Sequence, residues 1–211
     1  LYAGHGELSS PRGICEADAM PKPAHDTTLA FADNAALRAW FSENATTRTE
    51  LWVRLYKAGS GIASVTWEDC VVVALCHGWI DSLKQSEGPE AWLQRLTPRK
   101  KGSVWSQRNR AHAERLIAAG EMTEAGLAEV RAAQADGRWD AAYAGPKTME
   151  IPADFIAALE GHPVAAATFA GLNRQNLYAI YHRLHIAPSP EARARRIAKL
   201  IATLDAGETF H

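Results

Sequence analysis

Residues 66–97, TWEDCVVVALCHGWIDSLKQSEGPEAWLQRLT, decide the fold class. Thr66 can cap a helix, and Glu68 and Asp69 sit beside its positive end. The run VVVALC is apolar nearly all round, which predicts a buried central helix over Thr66–His77. Gly78 predicts its stop. Ile80–Gln85 and Ala91–Thr97 then read as two strands joined by SEGPE, a turn-forming segment. A hairpin returning beside a buried helix is an α+β arrangement with a small, mainly antiparallel sheet packed on that helix.

The flanking segments extend this plan. Upstream, Asp33 or Asn34 can cap a helix bearing Leu37, Trp40 and Phe41 at helical spacing. ELWVRLYKAGSG (50–61) follows as a strand ended by its glycines. Downstream, Ser106 can cap a helix that ends near Gly120, and Thr123 another that carries Leu127 and Val130. ADGRWDAAYAGPKTMEIP (135–152) breaks the pattern with two glycines and two prolines, and predicts a boundary near residue 145. Beyond it the reading is all helical: 153–160, 163–170, a helix capped by Asn173, and a last one opened by Ser189-Pro190. In that last helix Ile197, Leu200, Ile201 and Leu204 form one apolar stripe. The expected organisation is a flexible leader over 1–28, an α+β domain over 29–145 and a helical module over 146–211.

Composition narrows the function classes. Hydrophobic residues make up 47% of the 211, enough for a packed core. The net charge of −1 argues against a general nucleic-acid binder, which carries a large positive excess. Three cysteines, with Cys70 and Cys76 pointing in different directions from one helix, fit a reducing compartment and a cytoplasmic location. No run approaches the roughly 20 apolar residues of a membrane span. The first 19 residues lack the basic start and apolar centre of a signal peptide, and Met20 reads as the natural start.

Four blocks carry a resemblance: ALCHGWIDS (74–82), WLQRLTPRKKGSVWSQRNR (92–110), AGLAEVRAAQADGRWDAAY (125–143) and ARARRIAKLIATLDAGE (192–208). Together, over Phe31 to Glu208, they resemble the YdeI/OmpD-associated proteins, the bacteriocin-protection family. The resemblance implies a small bacterial protein of mixed α and β structure with a helical C-terminal module. It also implies a link to envelope stress and tolerance of cationic antimicrobial peptides, without a settled catalytic mechanism. His77 departs from the pattern, which commonly has an aromatic residue there.

Chemistry is concentrated after the buried helix. Cys76, His77 and Asp81 hold a thiol, an imidazole and a carboxylate, the parts of a nucleophile, a base and an orienting acid. Neighbours on a helix point about 100° apart, so Cys76 reads more readily as a buried structural thiol. Asp81, and His77 beside it, are the candidate general bases. The competing reading pairs Asp81 with Arg95 across the hairpin.

From Glu90 to Arg110 the chain carries six basic residues (Arg95, Arg99, Lys100, Lys101, Arg108, Arg110) and no acid after Glu90 itself. Arg95 and Arg99 can hold an anion in forked geometry, and Ser106 and Asn109 can hydrogen-bond to it at a helix start. Trp105, the tryptophan expected to be most exposed, would cover an apolar part. The alternative is a solvated loop. Trp79 reads as core.

His182 and His185 lie three apart on a helix, but no third ligand stands at a fixed spacing, so neither a metal nor a cofactor is expected. The chain has no P-loop, no G-x-G-x-x-G, no G-x-S-x-G and no paired C-x-x-C. Three functions remain: a stress- or resistance-associated protein that binds a small anionic ligand, a metal-independent hydrolase of activated esters or phosphoesters, and a nucleic-acid or protein-interaction module.

Overall fold

The computed structural model describes residues 28–210. The leader expected over 1–28, with Cys15 and Met20, lies outside the described residues except for Thr28. Thr28 opens a strand, β1 (Thr28–Ala30), absent from the sequence reading. The chain continues through α1 (Asn34–Asn44), β2 (Leu51–Tyr56), α2 (Trp67–Cys76), β3 (Trp79–Glu87) and β4 (Ala91–Pro98). It ends in helices: α3 (Gln107–Ala118), α4 (Glu124–Ala135), α5 (Ala153–Leu159), α6 (Pro163–Ala170), α7 (Arg174–His185) and α8 (Pro190–Asp205).

The strands lie in the order β1-β2-β4-β3. β1 runs parallel to β2, while β4 is antiparallel to both β2 and β3. The sheet is therefore mostly antiparallel. A bulge interrupts the β3–β4 pairing between Asp81 and Lys84, and the buried Gln94 amide fills the break by donating to the Leu83 and Arg95 carbonyls.

α2 opens on a full capping box. The Thr66 hydroxyl accepts from the Asp69 N–H, and the Asp69 carboxylate accepts from the Thr66 N–H. Every residue from Cys70 to Cys76 is buried. Cys70, Val73 and Ala74 join one cluster with Phe41 of α1 and Leu51, Val53, Leu55, Trp79 and Leu96 of the strands. Val71, Val72, Leu75 and Cys76 join a second with Trp105, Leu116, Val130 and Trp139.

The end of α2 needs two glycines. Gly78 turns the chain at φ 72°, and a Cβ there would lie 2.9 Å from the Ala125 carbonyl oxygen. Gly126 lets α4 press onto the same spot, because a Cβ there would lie 2.4 Å from the Cys76 carbonyl oxygen. That carbonyl, left without an intrahelical donor, accepts from both the N–H and the hydroxyl of Thr123.

The last four helices have their own cluster around Phe155, Ile180, Leu184, Leu200 and Leu204. Tyr181 ties α7 back to the preceding segment. Its oxygen accepts from the Ala144 N–H at 2.7 Å, and it packs with Ala144 and Met149.

Candidate functional site

The acid-free stretch of sequence does not remain acid-free in space. Arg95 pairs with Glu50 at 2.7 Å, Arg108 with Glu68, and Arg110 with Glu114 at 3.0 Å. Lys100 and Lys101 are exposed. The three arginines are therefore paired, and the two lysines are solvated.

Arg99 is the exception. It follows directly on β4, and its N–H donates to the Gly78 carbonyl, so the turn after α2 fixes its place. It is 7% exposed. Its guanidinium lies 3.8 Å over the Trp105 ring, and Nη1 donates to the Val104 carbonyl. Nε and Nη2 are buried without a hydrogen-bond partner, and so is Trp105 Nε1. No carboxylate among the described residues pairs with it. Burial lowers the Arg99 pKa to about 10, with Glu129 and Asp81 opposing at longer range. The group stays charged near neutral pH.

This placement corrects one expectation. Trp105 is not the exposed tryptophan. It is 1% exposed and edge-on to Trp139 at 4.9 Å. The Arg99 guanidinium covers one face of its ring, and the Trp139 indole packs at its edge. The two arginines are engaged differently: Arg95 pairs with Glu50, while Arg99 stacks on Trp105. β4 register sets Arg95 opposite Trp52, and the next residue, Leu96, belongs to the cluster with α2. Side chains alternate across a strand, so Arg95 projects from the other face. It does not pair with Asp81, which faces Leu96 in register and accepts from Trp67 Nε1 at 3.3 Å.

The helix start is built as the spacing suggests. Ser106 Oγ accepts from the Asn109 N–H at 3.1 Å, and Asn109 is buried in the first turn of α3. The sequence reading missed Tyr143. Its carbonyl accepts from the Gln107 N–H and its own N–H donates to the Trp105 carbonyl, so a remote segment clamps the turn that presents Trp105 and Ser106. Burial raises the Tyr143 phenol above its usual value. Asp81 adds to the rise, and Arg99 and Ser106 oppose it. Asp81, Arg99 and Ser106 thus act on one phenol. Tyr143 stands inside the pattern break of 135–152, two residues before the expected boundary, with no periodicity to mark it; an aromatic residue in a Gly/Pro-rich connection was the available signal.

His77 lies apart from this group. As the residue closing α2, it stacks on Phe41 at 5.3 Å. Burial, followed by the nearby Arg38, lowers its pKa. Neither thiol is primed for attack: burial raises both, Cys70 to about 12. His185 Nε2 bonds to the Ala141 carbonyl at 2.7 Å, and His182 meets the Tyr143 ring edge-on. Among the described residues no group of His, Cys, Asp and Glu could hold a metal. No helix there is long and apolar enough to cross a membrane.

Residues 148–207 match the family model described as Bacteriocin-protection, YdeI or OmpD-Associated. Residues 29–129 match a separate one, described as Domain of unknown function (DUF8412). The family resemblance is thereby shown on the helical module. No curated protein and no solved structure matches the chain.

Proposed function

We propose that this chain, whose residues 148–207 carry the YdeI/OmpD-associated module, is a bacterial stress-associated protein that binds a small anion at Arg99. The observation that carries the reading is a cation 7% exposed, with two guanidinium nitrogens unbonded and no carboxylate paired to it. An isolated buried charge is costly, and a bound anion offsets that cost while supplying the missing acceptors. Trp105 Nε1, also without a partner, is a further donor in the same stacked pair. In this reading Ser106 and Asn109 fix the turn and Tyr143 clamps it.

The hydrolase reading reduces to Asp81, since His77 is engaged with Phe41 on another side of α2. The interaction-module reading, which also draws on the basic last helix, loses Arg95, Arg108 and Arg110 of its loop to Glu50, Glu68 and Glu114. A cytoplasmic setting is part of the proposal, supported by Cys70 and Cys76, both buried and free.

The test is a titration with sodium phosphate, sulfate and acetate at constant ionic strength, followed by the indole Nε1–H resonance of Trp105. A saturable shift with one of them, lost in Arg99→Met and kept in Arg95→Met, is the expected result. The reading fails if no anion moves that resonance, or if Arg99→Met responds as the wild type does.

A further inference from the structure

The helical module holds a second cationic hollow, remote in sequence from Arg99. Between α7, α8 and the segment after α8 lies an open cavity of about 540 Å3. Arg183, Arg196 and Lys199 supply its charge, and Ile186, Leu200 and Phe210 its apolar floor. Among the described residues no acidic side chain lines it. Arg193, one turn earlier on α8, pairs with Asp154 at 2.6 Å. Among the described residues none of the three lining cations has such a partner.

Two of these cations are held in place. Arg196 Nη1 donates to the Arg183 carbonyl, and the Arg183 guanidinium lies 4.8 Å over the Phe210 ring. Phe210 is itself fixed, because its N–H donates to the Asn176 side chain at 2.7 Å. Three like charges around an apolar floor repel one another, and an anion placed among them relieves that repulsion. The cavity size suits a small organic molecule, since ligand sites span roughly 300–1,000 Å3.

We propose that this hollow is a binding site for an organic phosphate monoester: a dianionic head among Arg183, Arg196 and Lys199, with an apolar group on Ile186, Leu200 and Phe210. A phosphate fits better than a carboxylate because three donors of positive charge can share its two negative charges and three terminal oxygens. The site is independent of Arg99, so either can fail without the other.

Phenyl phosphate, inorganic phosphate and phenol are the probes, titrated into the full chain and followed through the backbone amide resonances of Thr203 and Phe210. Phenyl phosphate is expected to saturate these shifts and to bind at least tenfold more tightly than either fragment. Lys199→Glu, an exposed position, is expected to weaken it tenfold or more, with Arg196→Gln as the second variant. Arg99→Met is expected to leave it unchanged. No saturable shift, or equal affinity in both charge variants, overturns the site. Equal affinity for inorganic phosphate overturns the apolar half of the ligand assignment.

Discussion

Arg95 and Arg99 stand four residues apart at one end of β4, yet the two regions around them have opposite physical characters. Arg95 projects from the sheet face away from α2, one-third exposed, and meets Glu50. Arg99 turns inward over Trp105, against the second cluster, and meets no carboxylate. A surface ion pair in water is worth about 0–1 kcal/mol and asks nothing of its surroundings. A buried cation without a counter-charge is a standing cost, and makes chemical sense when something else completes it. Local charge density in the sequence is thus a poor guide to a site, because acids brought close by the fold neutralise half of it. Burial without neutralisation is the informative feature.

The most damaging way to alter the contrast is to remove the platform under Arg99. Trp105 is almost fully buried between Arg99 and Trp139, so Trp105→Ala is expected to cost about 3–5 kcal/mol. Denaturant unfolding measures it. A loss below 1 kcal/mol would mean that the ring is not packed as described and that the Arg99 surroundings are no core at all.

A smaller effect is expected where α4 meets the end of α2. Gly126→Ala ought to gain roughly 1 kcal/mol of helix propensity. The added Cβ, however, would fall 2.4 Å from the backbone oxygen of Cys76, which cannot rotate away. Net destabilisation of about 1–3 kcal/mol is expected, as for other overpacked cores. The displacement should also disturb the Trp105 indole resonance, since α4 and Trp105 share a cluster, while leaving the Arg95–Glu50 pair alone. A stabilised variant would contradict the close approach.

The arginines themselves give the sharpest contrast at modest energy. Arg95→Met is expected to change stability by less than about 1 kcal/mol. Arg99→Met removes an uncompensated charge and keeps the volume, so the ligand-free protein should become more stable rather than less. Thermal unfolding of both, without added anion, decides it. A large loss in Arg99→Met would show that the guanidinium is satisfied internally and needs no ligand.

These cases indicate how far the sequence could be read. Helix caps were legible because capping is local: Asp33, Thr66, Ser106, Thr123, Asn173 and Ser189 each accept from the backbone N–H three residues on. Both hairpin strands were legible from alternation and the turn between them, although β3 and β4 run somewhat longer than the pattern suggests. β1 was not legible, since three residues carry no period and its partner, β2, lies 23 residues on. The site was legible only in part. Spacing named Arg99, Ser106 and Asn109 among the residues of the proposed site, but a strand's face depends on register, and register sets Arg95 on the face opposite Leu96, paired with Glu50. Tyr143 was marked only as an aromatic residue in a Gly/Pro-rich connection, because its role comes from a backbone clamp on a turn 37 residues earlier, at Ser106.

The smallest expected effect concerns His77, on the side of α2 where no site forms. Burial, with Arg38 adding, lowers its pKa below the usual value of 6.5. The unfolded chain therefore takes up a proton first as pH falls, so it binds more protons than the folded state and stability declines. The loss begins near 6.5, grows down to the lowered folded value, and is constant beneath both. At pH 8 the residue is neutral in both states and contributes nothing to the slope. His77→Phe keeps a ring against Phe41 and removes the titration. Its stability should therefore fall less than that of the wild type between pH 8 and pH 5. The difference isolates His77, because His112 and His182, also lowered by burial, titrate in both proteins. Parallel curves would show that the imidazole is solvated as freely as in the unfolded chain, and that the quiet side of α2 is more open than its stacking on Phe41 indicates.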